Sequence, residues 1–342
     1  MSRAVKTNKL GLTKADYKGG ASTLCPGCGH NAISNHIIQA CYEAGVDPSQ
    51  LGKFSGIGCS SKTPAYFISQ AHSFNSAHGR MPSITTGAMM ANHTLTGLSV
   101  SGDGDTASIG IGQFIHIIRR NLDMIYIVEN NGVYGLTKGQ FSATADLGAK
   151  LKKGDANPFE PIDLCSLAIE LGCGFVARSF SGDKKQVVPL IQATLSHKGT
   201  AIIDIISPCV TFNDHEGSTK SYDYVKEHDA PLHEIDWIPE QEEISVDYAE
   251  GEVKEVRLHD GARLNLKKLD REYDPTDRSA VIKIGQEALK QEQLLTGLLY
   301  YRADMPDFAE MSNLPTEPIY ALGAEALRPS REAFAAVMQG LT

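Results

Sequence analysis

The stretch from Leu98 to Asn131 most constrains what this chain can fold into. Leu98-Ser99-Val100-Ser101 reads as a short buried strand that runs into Gly102-Asp103-Gly104. Ser108 to Arg120 carries Ile109, Ile111, Phe114, Ile115, Ile117 and Ile118, apolar enough for a helix packed on a sheet. Met124-Ile125-Tyr126-Ile127-Val128 is a second buried strand. Strand, Gly-rich turn, helix, strand is a right-handed crossover by default. It places Asp103 past the carboxyl end of the first strand and Asn130-Asn131 past that of the second, the edge where open parallel sheets bind ligands. Carboxylate and carboxamide oxygens suit a hard divalent ion such as Mg²⁺, with phosphate oxygens filling its other positions. Gly102 and Gly104 let backbone amides approach a pyrophosphate.

Gly-Asp-Gly followed roughly two dozen residues later by Asn-Asn resembles the thiamine diphosphate signature. A Gly-Asp-Gly alone is more often a turn that closes a strand. The Asn-Asn at this spacing, with a strand on each side, favours the cofactor. The chain continues Gly132-Val133-Tyr134-Gly135-Leu136-Thr137-Lys138-Gly139-Gln140, a loop whose glycines allow close backbone approach to a ligand. The Val133 carbonyl is a candidate to complete the metal shell. Leu136 and Thr137 are expected near the pyrophosphate or the reactive ring.

With no secretory leader or long apolar run in the sequence, a cytoplasmic location is expected. Seven cysteines there suggest thiolate ligands or buried thiols before disulfides. Cys25-Pro26-Gly27-Cys28 is a tight turn that aims two sulfurs at one centre. Cys59, between Gly58 and Ser60, and Cys209, after Ser207-Pro208, each follow a predicted strand. Cys41 lies on the apolar stripe of a helix that starts at Asn31 and stops at Gly45, and Cys165 and Cys173 flank a predicted helix over Asp163–Leu171. Those three read as structural. Cys25, Cys28, Cys59 and Cys209 therefore form the candidate metal set, open to zinc or a [4Fe–4S] cluster by spacing alone. A cluster beside a thiamine diphosphate site would give its carbanion chemistry an electron outlet.

The 342 residues, 42% hydrophobic and 21% charged, suit a large α/β domain with appendages. A net charge of −9 argues against a nucleic-acid partner, and no membrane segment is expected. Residues 1–20 read as a basic surface arm. Residues 21–210 read as a doubly wound, mostly parallel sheet, with further strands predicted over 174–177 and 201–206 and a helix over 184–195. Residues 211–342 read as an irregular extension that wraps a partner, holding a small hairpin near Val253–Leu258 and a helix over Ala280–Gln291. Lys150, Lys152 and Lys153 form a basic cluster, read as a solvated loop, with docking of an acidic electron carrier as the alternative.

Taken together, CPGCGH (25–30), GIGCSSK (56–62), HGR (78–80), SGDGD (101–105), NNGVYGLTKGQ with its Asn130 and SPCVTFN (207–213) resemble the beta subunits of 2-oxoacid:ferredoxin oxidoreductases, most of all the 2-oxoglutarate type. The resemblance implies the thiamine diphosphate-binding fold. It also implies one [4Fe–4S] cluster on Cys25, Cys28, Cys59 and Cys209, and Mg²⁺ on Asp103, Asn131 and the Val133 carbonyl. It places Gly102, Gly104, Asp105, Gly135 and Leu136 around the diphosphate, with Ile57, Gly58, Ser60 and His78 nearby. The implied reaction is oxidative decarboxylation of 2-oxoglutarate to succinyl-CoA and CO₂, in either direction, with one-electron transfer to ferredoxin. Lys62, His78 and Leu136 are the residues expected beside the reacting groups, with the Lys62 ammonium pairing with the distal carboxylate. The pyrimidine-binding domain is expected on a separate alpha subunit. Pyruvate or a branched-chain 2-oxoacid as substrate, a non-oxidative decarboxylase or carboligase, and a zinc-stabilised scaffold stand as alternatives.

Overall fold

The computed structural model describes residues 6–149, 156–211, 244–257, 263–291 and 293–341. Among the described residues, nine strands form one sheet in the order β2-β1-β3-β4-β6-β5-β9-β8-β7. They are β1 (Leu51–Ser55), β2 (His72–Asn75), β3 (Thr96–Gly102), β4 (Met124–Asn130), β5 (Phe175–Phe180), β6 (Thr200–Ile206), β7 (Val253–Arg257), β8 (Arg263–Lys268) and β9 (Leu294–Tyr301). From β2 to β5 every pairing is parallel. A parallel sheet needs helices on both faces, which is why its strands are apolar on both sides. β4 shows the sorting. Ile125 and Ile127 join the core beneath α1 (Gly29–Ala44) and α5 (Lys184–Thr194). Met124, Tyr126 and Val128 join the opposite core beneath α2 (Met81–Ala91), α3 (Ile111–Arg120) and α4 (Leu164–Glu170). Cys41, on the apolar stripe of α1, and Cys165 and Cys173, which flank the predicted helix, are buried in these two cores, as structural thiols should be.

Local chemistry sets the helix ends. Asp163 caps α4 by accepting from the backbone of Cys165 and Ser166. Gly45, in the left-handed region at φ 62°, stops α1. The crossover helix differs from its predicted start. Gly104–Ile109 is a π-helical turn, and α3 begins only at Ile111. Such turns recur at functional sites because they widen the backbone locally. α3 buries Phe114, Ile117 and Ile118, each contributing roughly 1.5–3 kcal/mol. On β1 the buried ammonium of Lys53 donates to the carbonyls of Pro64, Phe67 and Ile68 at 2.7, 2.8 and 2.8 Å, which fixes the segment after Cys59.

The sheet continues past the boundary read from sequence. β9 pairs antiparallel with β5, β8 lies parallel to β9, and β7 closes the hairpin with β8. β7 and the helix α6 (Arg278–Lys290) lie where the hairpin and helix signals put them. β9 has no strand signal in the sequence, because Leu294–Tyr301 lacks strict alternation and is half-buried between β5 and β8. The start of the chain is also more than a surface arm. Tyr17 is fully buried, and its hydroxyl donates to the Val46 carbonyl at 2.6 Å and accepts from Asn8 at 2.9 Å. Beyond residue 311 the chain is mostly exposed, and the last helix leaves Phe334, Val337, Met338 and Leu341 uncovered. The lysine cluster at 150–153 and all of the stretch from 212 to 243 lie outside the described residues. Among the described residues no helix is long and apolar enough to cross a membrane.

Candidate functional site

The adjacent strands β1, β3, β4 and β6 all point their carboxyl ends at one edge, and the loops there carry the site. Asp103, 1% exposed, follows β3 directly. Its Oδ1 accepts from the Asn131 backbone at 3.2 Å. Its Oδ2 accepts from Thr144 Oγ1 at 2.7 Å and from Ser142 Oγ. Asn131 Oδ1 in turn accepts from the Val133 backbone at 3.0 Å, across the tight turn that Gly132 makes at φ 74°. The Asp103 carboxylate thus lies against the turn that carries the Asn131 carboxamide and the Val133 carbonyl, oxygen donors of the kind Mg²⁺ takes. Burial raises the Asp103 pKa against the pull of Ser142, Thr144 and Asn131. A bound divalent ion would favour the ionised carboxylate.

The glycines are there for clearance. A methyl group at Gly104 would sit 2.6 Å from the Tyr134 ring, whose hydroxyl donates to the Gly104 carbonyl at 2.7 Å. At Gly102 it would meet Ser60 Oγ at 3.1 Å. Asp105 ties loops together. Its carboxylate accepts from Gly79 N at 2.7 Å and Ser101 Oγ at 2.9 Å, and the Ile57 backbone also reaches it. Asp105 therefore holds the 56–58 and 78–80 loops at this edge, and a methyl group on Gly56 would strike its Oδ2 at 1.8 Å. Gly58 turns the chain at φ 84°, and Ser60 Oγ donates to the Ile57 carbonyl at 3.1 Å. His78 is exposed next to Gly79, within electrostatic reach of Asp105. The segment after Asn131 folds as a short hairpin in which Val133 bridges to Phe141. It carries Gly135, Leu136 and Thr137 at its tip, and Leu136 is 49% exposed.

Three separate parts of the chain bring the four candidate cysteines together. Cys28 caps α1, and its backbone donates to the Cys25 carbonyl at 3.2 Å. Cys59 follows β1 and Cys209 follows β6. Thr211, just past Cys209, reaches Cys25 Sγ at 3.4 Å. Burial pushes the Cys28 thiol up to about 12, with Cys209, Glu129 and Cys59 adding to the rise. Burial likewise pushes Cys59 up to about 11, with Cys209 and Cys25 adding and Lys62 opposing. The four thiols are thus electrostatic neighbours. Among the described residues, however, no three His, Cys, Asp or Glu are gathered closely enough for one metal ion. Zinc would need its sulfurs within about 2.3 Å of a single point, whereas a [4Fe–4S] cluster gives each thiolate its own iron.

Residues 56–205 match the model of the thiamine pyrophosphate enzyme C-terminal binding domain. A 2-oxoacid:ferredoxin oxidoreductase beta subunit of Saccharolobus solfataricus is 43% identical over 199 residues, covering 58% of this chain and 65% of that one. The corresponding subunit of a Sulfolobus species is 40% identical over 217 residues, covering 63% and 69%. The chain belongs to the 2-oxoacid:ferredoxin oxidoreductase beta-subunit family. The 2-oxoglutarate synthase subunit KorB of Methanocaldococcus jannaschii is 37% identical over 189 residues, covering 55% of this chain and 69% of its own. Among solved structures, a 2-oxoglutarate:ferredoxin oxidoreductase from Magnetococcus marinus with 2-oxoglutarate, coenzyme A and succinyl-CoA bound matches at TM-score 0.71 and 26% identity. That match covers 97% of this chain and 96% of the other.

Within this beta-subunit fold, every described residue that the motifs single out falls at the same edge of the sheet or in a loop tied to it. Lys62 lies in the 3₁₀ turn Ser60–Ala65 after Cys59 and is half-buried. Sequence reasoning missed several polar residues here. Glu129 is fully buried, and among the described residues the Thr63 hydroxyl is the side chain that offsets the burial of its carboxyl. Burial raises its pKa, and Cys28 and Cys59 lie within its electrostatic reach. The nearest cation candidate is His30 Nε2 at 3.9 Å, but burial lowers the His30 pKa to about 4 and keeps that ring neutral. A carboxyl inside the otherwise apolar run Met124–Val128 and its Asn-Asn was the available signal. Ser142 and Thr144 had none, since they reach Asp103 only through the return of the hairpin.

Proposed function

We propose that this chain is the beta subunit of a 2-oxoglutarate:ferredoxin oxidoreductase that binds thiamine diphosphate, Mg²⁺ and one [4Fe–4S] cluster and assembles with an alpha subunit. The observation that carries this reading is the shared edge. An oxygen-donor turn (Asp103, Asn131, Val133), a glycine-cleared cradle (Gly102, Gly104) and the four cysteines occupy neighbouring loops of one parallel sheet. The likeness to an oxidoreductase that holds 2-oxoglutarate and coenzyme A supports the substrate choice. When bound, thiamine diphosphate supplies the electron sink for decarboxylating a 2-oxoacid, and the cluster a one-electron route to ferredoxin. The chain's own part is to position these groups. Asp103 and Asn131 hold the metal, the 132–141 hairpin presents Leu136 and Thr137 at the cofactor, and Asp105 keeps the Ile57, Gly58 and His78 loops in place. Lys62 reads the distal carboxylate, and coenzyme A accepts the acyl group. The described residues form one sheet of this fold and no second pyrimidine-binding unit, so the isolated chain is inactive.

The test is anaerobic co-purification with the alpha subunit, followed by ferredoxin or viologen reduction against a panel of 2-oxoacids. A preference for 2-oxoglutarate is expected, and Lys62→Ile shifts it toward pyruvate. An unchanged ratio of the two kcat/KM values removes Lys62 from the specificity assignment. Elemental analysis separates the cluster from the zinc scaffold, and Cys209→Ser should lose both iron and visible absorption. Full turnover by the isolated chain would overturn the two-subunit reading.

A further inference from the structure

A line of polar side chains runs inward from Asp103 across four neighbouring strands, β3, β4, β6 and β5. Thr144 Oγ1 shares its one proton in a three-centre bond between Asp103 Oδ2 at 2.7 Å and Asn130 Oδ1 at 3.0 Å. Asn130 Nδ2 donates to Asp204 Oδ1 at 3.0 Å. The other oxygen of Asp204 accepts from Arg178 Nε at 3.0 Å, and the same guanidinium pairs with Asp163, the cap of α4. Asp103, Asp204 and Arg178 are buried.

The order of groups gives the line a direction. Arg178 has no neutral form in a protein, so Asp204 has a fixed donor on one side. Asp204 can only accept while ionised, so the other side must take the amide nitrogen of Asn130. That turns the Asn130 oxygen toward Thr144, which locates the hydroxyl beside Asp103. With Ser142 on the same oxygen and the Asn131 backbone on the other, the plane of the Asp103 carboxylate is set from three directions. Groups behind a metal ligand change affinity without touching the ion, typically by about 10–100-fold.

We propose that Arg178, Asp204, Asn130 and Thr144 are positioning residues that set the affinity of Asp103 for its divalent cation, so that metal binding at β3 is fixed from β5. The inference rests on Asp103 being a metal ligand, as proposed above. It goes beyond that reading by assigning roles to side chains that do not reach the ion.

The probe is Mn²⁺ binding with thiamine diphosphate present, followed by electron paramagnetic resonance on the full chain assembled with its alpha subunit. Thr144→Val keeps the shape and removes the hydroxyl. It is expected to weaken Mn²⁺ by about 10–100-fold, and Thr144→Ser to restore it. Asp204→Asn, which does not touch Asp103, is expected to weaken Mn²⁺ as well. Its combination with Thr144→Val should be no weaker than the worse single variant, because both break one line. If Asp204→Asn lowers the melting temperature and leaves Mn²⁺ affinity unchanged, the line is merely structural and the proposal fails. It fails equally if Thr144→Val binds within about twofold of the unmodified chain, well short of the effect expected for such groups. Should Asp204→Asn not accumulate as folded protein, the Thr144 pair decides alone. A wild-type assembly that binds no Mn²⁺ with thiamine diphosphate would sink the cofactor reading and this proposal with it. Wild-type binding with indifferent variants sinks the proposal only.

Discussion

Gly104→Ala and Gly112→Ala are the same chemical change at two sites in the crossover, and they should move stability in opposite directions. Neither glycine has a positive φ, so alanine is tolerated by the backbone at both. At Gly112, on α3, an added methyl group meets nothing within 4 Å. The loss of unfolded-chain entropy then stabilises the protein by roughly 0.4–1 kcal/mol. At Gly104 the methyl group would lie 2.6 Å from two Tyr134 ring carbons, closer than real contacts allow. The ring must move, at a cost of about 1–3 kcal/mol for overpacking. The hydrogen bond from the Tyr134 hydroxyl to Gly104 is lost with it, roughly 0.5–1.5 kcal/mol more. Against the entropy gain, the net loss is about 0.5–4 kcal/mol. Unfolding entropy of ~2.1 cal/mol/K per residue over 342 residues converts each kcal/mol into about 1.4 °C. Gly104→Ala should therefore melt about 0.7–6 °C lower and Gly112→Ala about 0.5–1.4 °C higher. Because Tyr134 belongs to the hairpin that carries Val133 and Leu136, Gly104→Ala should also lose the stabilisation by thiamine diphosphate with Mg²⁺ that the proposed function predicts for the unmodified chain. Calorimetry with and without cofactor measures both effects. If Gly104→Ala melts at or above the unmodified chain and still responds to cofactor, the clearance argument for this glycine is wrong.

Two further outcomes follow from the buried charges. In the metal-free chain the Cys59 thiol, pushed up to about 11, should alkylate about tenfold faster per pH unit from pH 7 to 10, since only the thiolate reacts. A plateau near the ordinary thiol value, read by mass spectrometry, would contradict its burial. Lys198 donates to Asp123 at 2.9 Å and Asp307 at 2.6 Å. Burial raises the Asp307 pKa, but the bonds from Lys198 and Glu310 N outweigh it and hold it below the usual carboxylate value of 3.8. Burial lowers Lys198, but its two carboxylates outweigh that and hold it above 10.5. The tie is thus complete between pH 3.8 and 10.5. It is lost as the pH falls through the depressed carboxyl value or rises through the raised amine value. Lys198→Met should lower the urea midpoint at pH 7, and the deficit should shrink at pH 2.5, below the ordinary carboxyl value, while at pH 10 it stays as at pH 7. An equal deficit at pH 2.5 and pH 7 would refute the linkage.

The crossover from β3 to β4 was legible because its signals are local. Apolar runs bounded by glycines fix two parallel strands and a helix, and parallel topology alone puts Asp103 and Asn131 at one edge. The cysteine set was legible for the same reason, since Cys59 and Cys209 each follow a strand by a few residues. Helix starts were less so. The π turn at Gly104–Ile109 and the start of α1 at Gly29 depend on close approaches to distant residues, Tyr134 in one case and Ser181 and Ser207 in the other.

The sequence by itself determined the kind of chemistry this chain can hold, through oxygen donors, glycines and thiols at fixed offsets from strands. Tertiary structure decided which groups stand behind them. Strand order β3-β4-β6-β5 differs from chain order, so it is pairing across the sheet that lines up Asp103, Asn130, Asp204 and Arg178. Likewise, only the return of β9 onto β5 shows that β7, β8 and β9 belong to the same sheet. Local spacing encodes periodicity and turns. The pairing of distant strands depends on the summed burial of both faces, which no short window of sequence contains.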